Sequence, residues 1–179
     1  MIQRAFTYLG YKYARFQFRK DVDEVLPFTD FFRNARSMLV ILPVGYEDAM
    51  IAGSLLRDAL RGNPLLRVTV VHNSTRETPL GDLPRSEVVR MNPDDLTRFS
   101  LPRKPLLQRL LQRQFDVAID LNLDFILHTA YICKASRAKV RVGRSHEGID
   151  CFYNVQLNFV DAGQPQATYR KFIESIAMF

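Results

Sequence analysis

The chain has 179 residues, enough for one domain with a real core and short for two. Its 47% hydrophobic and 25% charged residues are those of a globular protein, and no apolar run approaches the ~20 residues that span a bilayer. The formal charge of +6 favours encounter with anionic partners (nucleic acid, phosphorylated sugars, an acidic membrane) without selecting a chemistry.

Residues 1–36 stand apart from the rest of the chain. Tyr8, Tyr11, Tyr13, Phe16 and Phe18 interleave with Arg4, Lys12, Arg15, Arg19 and Lys20. The stretch has no clean apolar region of the kind a secretory signal carries. One reading is a basic-aromatic arm that lies on an acidic membrane or stacks on nucleic acid. The other is a helix whose Leu9, Tyr13 and Phe16, spaced four and three, pack on the sheet or on another subunit. Aromatic stripes at helical spacing are usually buried, which favours the second.

Residues 37–179 read as a single α/β domain. SMLVILPV (Ser37 to Val44) is a continuous, partly β-branched apolar run, the pattern of a strand buried on both faces. From Asp48 the period changes: Ala52, Leu55, Leu56, Ala59 and Leu60 follow helical spacing. Gly62-Asn63-Pro64 supplies a stop. LRVTVVH (Leu66 to His72) is a second strand, followed by a polar, turn-rich loop, NSTRETPLGDLPR.

SEVVRM (Ser86 to Met91) is a third, short strand. A helical region is expected from Asn92-Pro93, broken by Pro102 and Pro105 and resuming as LLQRLLQRQ. FDVAIDLNL (Phe115 to Leu123) is a fourth strand, ILHTAYICKAS a helix, and AKVRVGR (Ala138 to Arg144) a fifth strand. VQLNFV (Val155 to Val160) adds a sixth, before a last helix from Pro165 to Met178. Strands alternating with helices pair in parallel through right-handed crossovers. The expected architecture is a three-layer, open, mostly parallel, Rossmann-like sheet.

The chemical motifs are chiefly negative. There is no GxGxxG, Walker loop, HExxH, paired Cys/His spacing or GxSxG elbow, so neither a cofactor nor a metal is expected. Cys133 and Cys151 are too few for a disulfide framework, which together with the missing signal suggests a reducing, cytoplasmic setting. In doubly wound sheets the carboxyl ends of the strands form the ligand crevice. That rule makes candidates of Gly45, Tyr46, Glu47 and Asp48 after the first strand, and of Asn73, Ser74 and Thr75 after the second. Asn122 and Asp124 follow the fourth; Arg144, Ser145, His146 and Glu147 follow the fifth. Asp48 reads first as an N-cap of its helix, stabilised as the anion by the helix terminus. Its alternative is a general base. His128 reads as a packing or surface residue.

The order of these segments resembles glycosyltransferase family nine, the heptosyltransferase-like enzymes of bacterial lipopolysaccharide synthesis. MLVILPVGYEDAMIAGSLLRDALRGNP resembles the family's opening strand, turn and helix; LRVTVVHNS and SEVVRMNPDDL are similar to its second and third strands. FDVAIDLNLDF looks like its recurrent "YDLVIDL" strand, and ASRAKVRVGRS like its fifth. The likeness runs from about residue 36 to 175. It implies that Asp48 matches the catalytic aspartate, a general base on the acceptor sugar's hydroxyl. Where the family has Gly immediately before that aspartate, this chain has Glu47, with Gly45 two residues earlier.

Family members pair two Rossmann-like domains in a GT-B arrangement, and the sequence supplies strand-helix units for one, similar to the N-terminal, acceptor-side domain. The expectation is therefore a binding or interaction module that is not an independent enzyme, with a phosphorylated sugar as ligand, in the cytoplasm or peripheral at the inner membrane. It would work as a homodimer or beside a separate donor-binding domain. The alternative is half of a split glycosyltransferase, with Asp48 as base, Asn122 and Asp124 orienting the acceptor, and Arg144 meeting its phosphate. Nucleic-acid binding through residues 1–36 and the helix carrying Arg109 and Arg113 is the least favoured reading.

Overall fold

In a computed structural model, residues 2–23, 34–61, 65–73, 85–159 and 163–177 are described. The elements are α1 (Ile2–Phe18), β1 (Ser37–Ile41), α2 (Tyr46–Leu60), β2 (Arg67–His72) and β3 (Ser86–Arg90). There follow α3 (Lys104–Leu110), β4 (Val117–Asp120), α4 (Leu127–Ala135), β5 (Val140–Arg144), β6 (Val155–Leu157) and α5 (Pro165–Ala177). The strands form one six-stranded sheet in the order β3-β2-β1-β4-β5-β6. Every pairing is parallel. This is the doubly wound order whose direction reverses between its first and fourth strands.

The continuous apolar runs are explained by a sheet covered on both faces. Along β1, Met38 and Val40 join the core beneath α2 and α5, while Leu39 and Ile41 join the core beneath α1, α3 and α4. β4 repeats the division, with Val117 and Ile119 on one face and Ala118 on the other. Successive strand residues point to opposite faces, so a buried strand needs apolar side chains at every position. The N-terminal edge is closed by Asp116, whose Oδ2 accepts from the Arg36 and Ser37 amides at 2.9 and 3.1 Å and from Ser37 Oγ at 3.1 Å.

Two expectations are corrected. The segment after Asn92 is a single 3₁₀ turn, Pro93–Asp95, then a bridge between Leu96 and Pro102, with helix only from Lys104. Asp95 Oδ2 accepts the Asn92 amide at 2.9 Å and closes the turn on itself, and Pro102 has no amide with which to extend a helix. The second correction concerns α1. Gly10, Ala14 and Phe18 are its buried residues, and Leu9, Tyr13 and Phe16 face solvent at 54, 58 and 64% exposure. Gly10 is seated so closely that a Cβ there would lie 2.1 Å from the Phe99 carbonyl oxygen. Tyr11 donates to the Gly148 carbonyl at 2.7 Å, and Phe18 packs on Tyr131. The predicted stop at Gly62-Asn63-Pro64 and most of the loop after Asn73 lie outside the described residues.

Candidate functional site

The carboxyl ends of β1 and β4 lie side by side at the reversal point of the sheet. The loops leaving them diverge to α2 on one face and α4 on the other, and the gap between such loops is where open α/β sheets bind ligands. A buried lattice of hydrogen bonds holds these loops together. Asp120, the last residue of β4, is 2% exposed. Its Oδ1 accepts the Asn122 amide at 3.1 Å and Asn122 Nδ2 at 2.7 Å, and its Oδ2 accepts the Tyr153 hydroxyl at 2.7 Å. Asn122 Oδ1 in turn accepts the Val44 amide at 2.9 Å, in the turn between β1 and α2. Asn122 therefore braces the turn through both ends of its amide.

Burial pushes the Asp120 carboxyl above the usual carboxylate range, although Asn122 and Tyr153 donate to it and favour the anion. Burial likewise raises the Tyr153 phenol well above its ordinary value, and the nearby Asp120 reinforces it. With both carboxyl oxygens accepting, the buried Asp120 is tied on two sides and acts as a strut between the loops. Tyr153 also explains Gly143 in β5, where a Cβ would press on the Tyr153 ring at 2.8 Å.

Above this lattice the side chains are accessible. Gly45 is the N-cap of α2 and contributes no side-chain cap. Asp48 sits in the first turn of α2 and is half-buried, while Glu47 and Asp124 are exposed. The expectation that Asp48 is the N-cap is corrected: the cap lies three residues earlier, because the helix begins at Tyr46. A carboxylate in the first turn still interacts favourably with the helix terminus. Among the described residues no hydrogen bond or ion pair engages the Asp48, Glu47 or Asp124 carboxylate.

Arg144 Nη1 donates to the Leu123 carbonyl at 3.3 Å and its guanidinium lies over the Phe159 ring. His146 Nε2 stands 3.0 Å from the same carbonyl. The loop after β5 is thus tied to the loop after β4. Asn73 is half-buried at the end of β2, Tyr46 is 37% exposed, and Ser74 and Thr75 lie outside the described residues.

Three residues that the sequence motifs do not single out belong to this edge. Tyr169 of α5 is 1% exposed; burial raises its phenol, and Asp48, Asp124 and Asp120 reinforce the shift while Arg144 opposes it. The last helix therefore delivers a hydroxyl-bearing ring to the carboxylates. Asp120 is the second, which in the sequence is simply the end of a hydrophobic strand. His72, the last residue of β2, is the third: it is 1% exposed, with both ring nitrogens lacking partners among the described residues, and burial lowers its pKa. The polar ends of apolar strands were the available signal for Asp120 and His72. Tyr169 had none.

His128 stands near the start of α4, where burial lowers its imidazole to about 4. Among the described residues no three His, Cys, Asp or Glu side chains converge as a metal set. A cavity of about 840 Å³ lies at the opposite end of the sheet, lined by Phe18, Phe115, Asp116, Tyr131, Lys134 and neighbours. Two smaller ones lie along α3 and beside Asp23, and none of the three includes Asp48. The reversal-point carboxylates line none of these three.

No family model and no curated relative matches the sequence. Solved structures do match. Over 78% of this chain and 46% of the other, the chain is similar to Escherichia coli heptosyltransferase WaaC with ADP, at 16% identity and a TM-score of 0.56. WaaC with ADP-2-deoxy-2-fluoro heptose gives 15% identity and a TM-score of 0.54 over 78% of this chain and 47% of that one. A glycosyl transferase of family 9 from Veillonella parvula DSM 2008 gives 15% and 0.57, over 80% of this chain and 42% of the other. The chain spans less than half the length of each of these proteins. In fold it is heptosyltransferase-like: an open, all-parallel, Rossmann-like sheet of the kind found in glycosyltransferase family nine.

Proposed function

We propose that this domain is the acceptor side of a sugar-transfer site and binds a phosphorylated sugar. One observation carries this reading. At the reversal point Asp48 comes from the first turn of α2 and Asp124 from the loop after β4, with Arg144 near both and a braced floor beneath. Carboxylates from two directions accept hydrogen bonds from sugar hydroxyls, and a guanidinium recognises phosphate bidentately. The structural likeness to part of the heptosyltransferase architecture supports the same ligand class. The resemblance of residues 36–175 to the acceptor-side domain of family nine supports bacterial envelope-sugar assembly as the setting.

A thermal-shift series tests the proposal. A phosphorylated sugar, probed with glucose phosphate, raises the melting temperature of the native chain, because a ligand that prefers the folded state stabilises it. Arg144→Ala removes that shift. Failure of every sugar phosphate to move the native melting point overturns the reading.

The second reading, half of a split transferase, draws support from Asp48, which the sequence resemblance matches to the family's catalytic aspartate and whose carboxylate has no hydrogen bond or ion pair among the described residues. There Asp48 takes the acceptor's hydroxyl proton as the sugar is transferred, and a separate body supplies the nucleotide-sugar site. General base catalysis contributes about 10²–10⁴-fold, so Asp48→Asn should cost a reconstituted complex that much in kcat with acceptor binding retained. An unchanged kcat removes the catalytic role.

A further inference from the structure

We propose that α1 seats the protein on an anionic lipid surface through its outer face. This inference is independent of the sugar-site reading and rests on a second apolar stripe in the helix. The first stripe, Gly10, Ala14 and Phe18, is buried in the protein. The second consists of Ile2, Leu9, Tyr13 and Phe16, at 74, 54, 58 and 64% exposure, with Tyr8 beside it at 57%. Half of the exposed large apolar side chains among the described residues belong to this one helix. A soluble surface scatters such groups singly; a contiguous stripe marks a contact.

The charge on the helix selects the partner. Arg4, Lys12, Arg15, Arg19 and Lys20 are all exposed, and α1 contains no acidic residue. No ion pair among the described residues engages any of these five. Three instead lie over rings of the same helix: Lys12 over Tyr8, Arg15 over Tyr11, and Arg19 over Phe16 at 3.6 Å from the centroid. Lys12 and Arg19 flank the stripe on one side.

A second copy docked stripe to stripe would bring these cations toward their own equivalents, and α1 carries no carboxylate of its own to offset them. Nucleic acid would satisfy the cations and stack on the rings, yet it leaves Ile2 and Leu9 nothing apolar to cover them. A bilayer with anionic headgroups answers both needs at once, hydrocarbon for the stripe and phosphate for the cations. The helix lies on such a surface and does not cross it, since no described helix is long and apolar enough to span. Tyr11 carries the contact inward, because its hydroxyl holds the Gly148 carbonyl in the loop that bears His146.

Vesicle co-sedimentation of the full chain tests the proposal. Binding is expected to phosphatidylglycerol-containing vesicles and not to pure phosphatidylcholine, and to fall as salt is raised. Lys12→Glu with Arg19→Glu should weaken it more than twentyfold, at about fivefold or more per cation lost near an anionic surface. Leu9→Glu with Phe16→Glu should abolish it. All four positions are exposed, so both double variants should melt within a few degrees of the native chain; a variant that does not is replaced by the Ala pair. No native binding to anionic vesicles, or equal binding by native and variant chains, overturns the proposal. So does a dimer in sedimentation equilibrium that the Leu9/Phe16 variant dissolves, or an oligonucleotide held by native chain that ignores the vesicles.

Discussion

The two ends of the sheet treat their carboxylates in opposite ways. At the N-terminal edge Asp116 accepts three hydrogen bonds from Arg36 and Ser37, and closes the entrance to β1. At the C-terminal edge Asp120 is sunk under the loops with Asn122 and Tyr153, while Asp48, Glu47 and Asp124 stand above it without partners among the described residues. A carboxylate whose hydrogen-bonding capacity is filled by the protein holds the protein together. One that is left unfilled at a strand's carboxyl end is available to a ligand. The difference lies in partners and depth, since all five acids are the same two residue types.

That contrast can be broken first at Asp120. Asp120→Ala strands the Tyr153 hydroxyl and the Asn122 amide in a buried site, and should cost roughly 2–4 kcal/mol in urea unfolding. A loss below about 1 kcal/mol would mean the lattice is not holding the loops. Next in size is a pH effect at the same end of the sheet. Burial holds folded His128 at about 4, against an ordinary 6.5. Between those values the unfolded chain takes up a proton that the folded chain refuses. His128 therefore stabilises fully above pH 6.5 and loses up to about 3 kcal/mol as pH falls toward 4, at ~1.4 kcal/mol per unit. His72 is shifted in the same direction. Melting curves of native chain and His128→Asn across that window should converge on acidification; parallel curves would remove the claim.

Smaller again is Gly10→Ala, whose methyl meets the Phe99 carbonyl. It should cost about 1–3 kcal/mol and loosen α1 from the domain, read by proteolysis within residues 1–36. The smallest effect sharpens the comparison most. Asp48→Asn should change stability by less than about 0.5 kcal/mol, because only the favourable interaction with the start of α2 is lost. A large destabilisation would make Asp48 a structural residue like Asp116.

Much of the fold was legible in the chain. The run Ser37 to Val44, the change of period at Asp48 and the repeats of that pattern predict parallel strands with crossovers, and the six strands pair in parallel. The ends were less legible. Asn92 to Arg103 carries helix-opening residues, yet the Asp95 side chain and Pro102 turn it into a 3₁₀ turn and a bridge. At the candidate site the loops after β1, β4 and β5 follow from the strand order. Tyr169 does not, because its helix reaches the carboxylates by packing against α2 from the far end of the sequence.

Periodicity along the chain determined which segments are strands and which are helices, since side-chain direction repeats every two residues in one and every 3.6 in the other. It also placed Asp48 and Asp124 at the carboxyl ends of strands. Only the tertiary structure decided which of the two apolar stripes of α1 turns inward, and that Asp120 is a brace while Asp48 is accessible. Spacing records how side chains are arranged on one element; burial depends on which other elements close over them, and those come from distant parts of the chain.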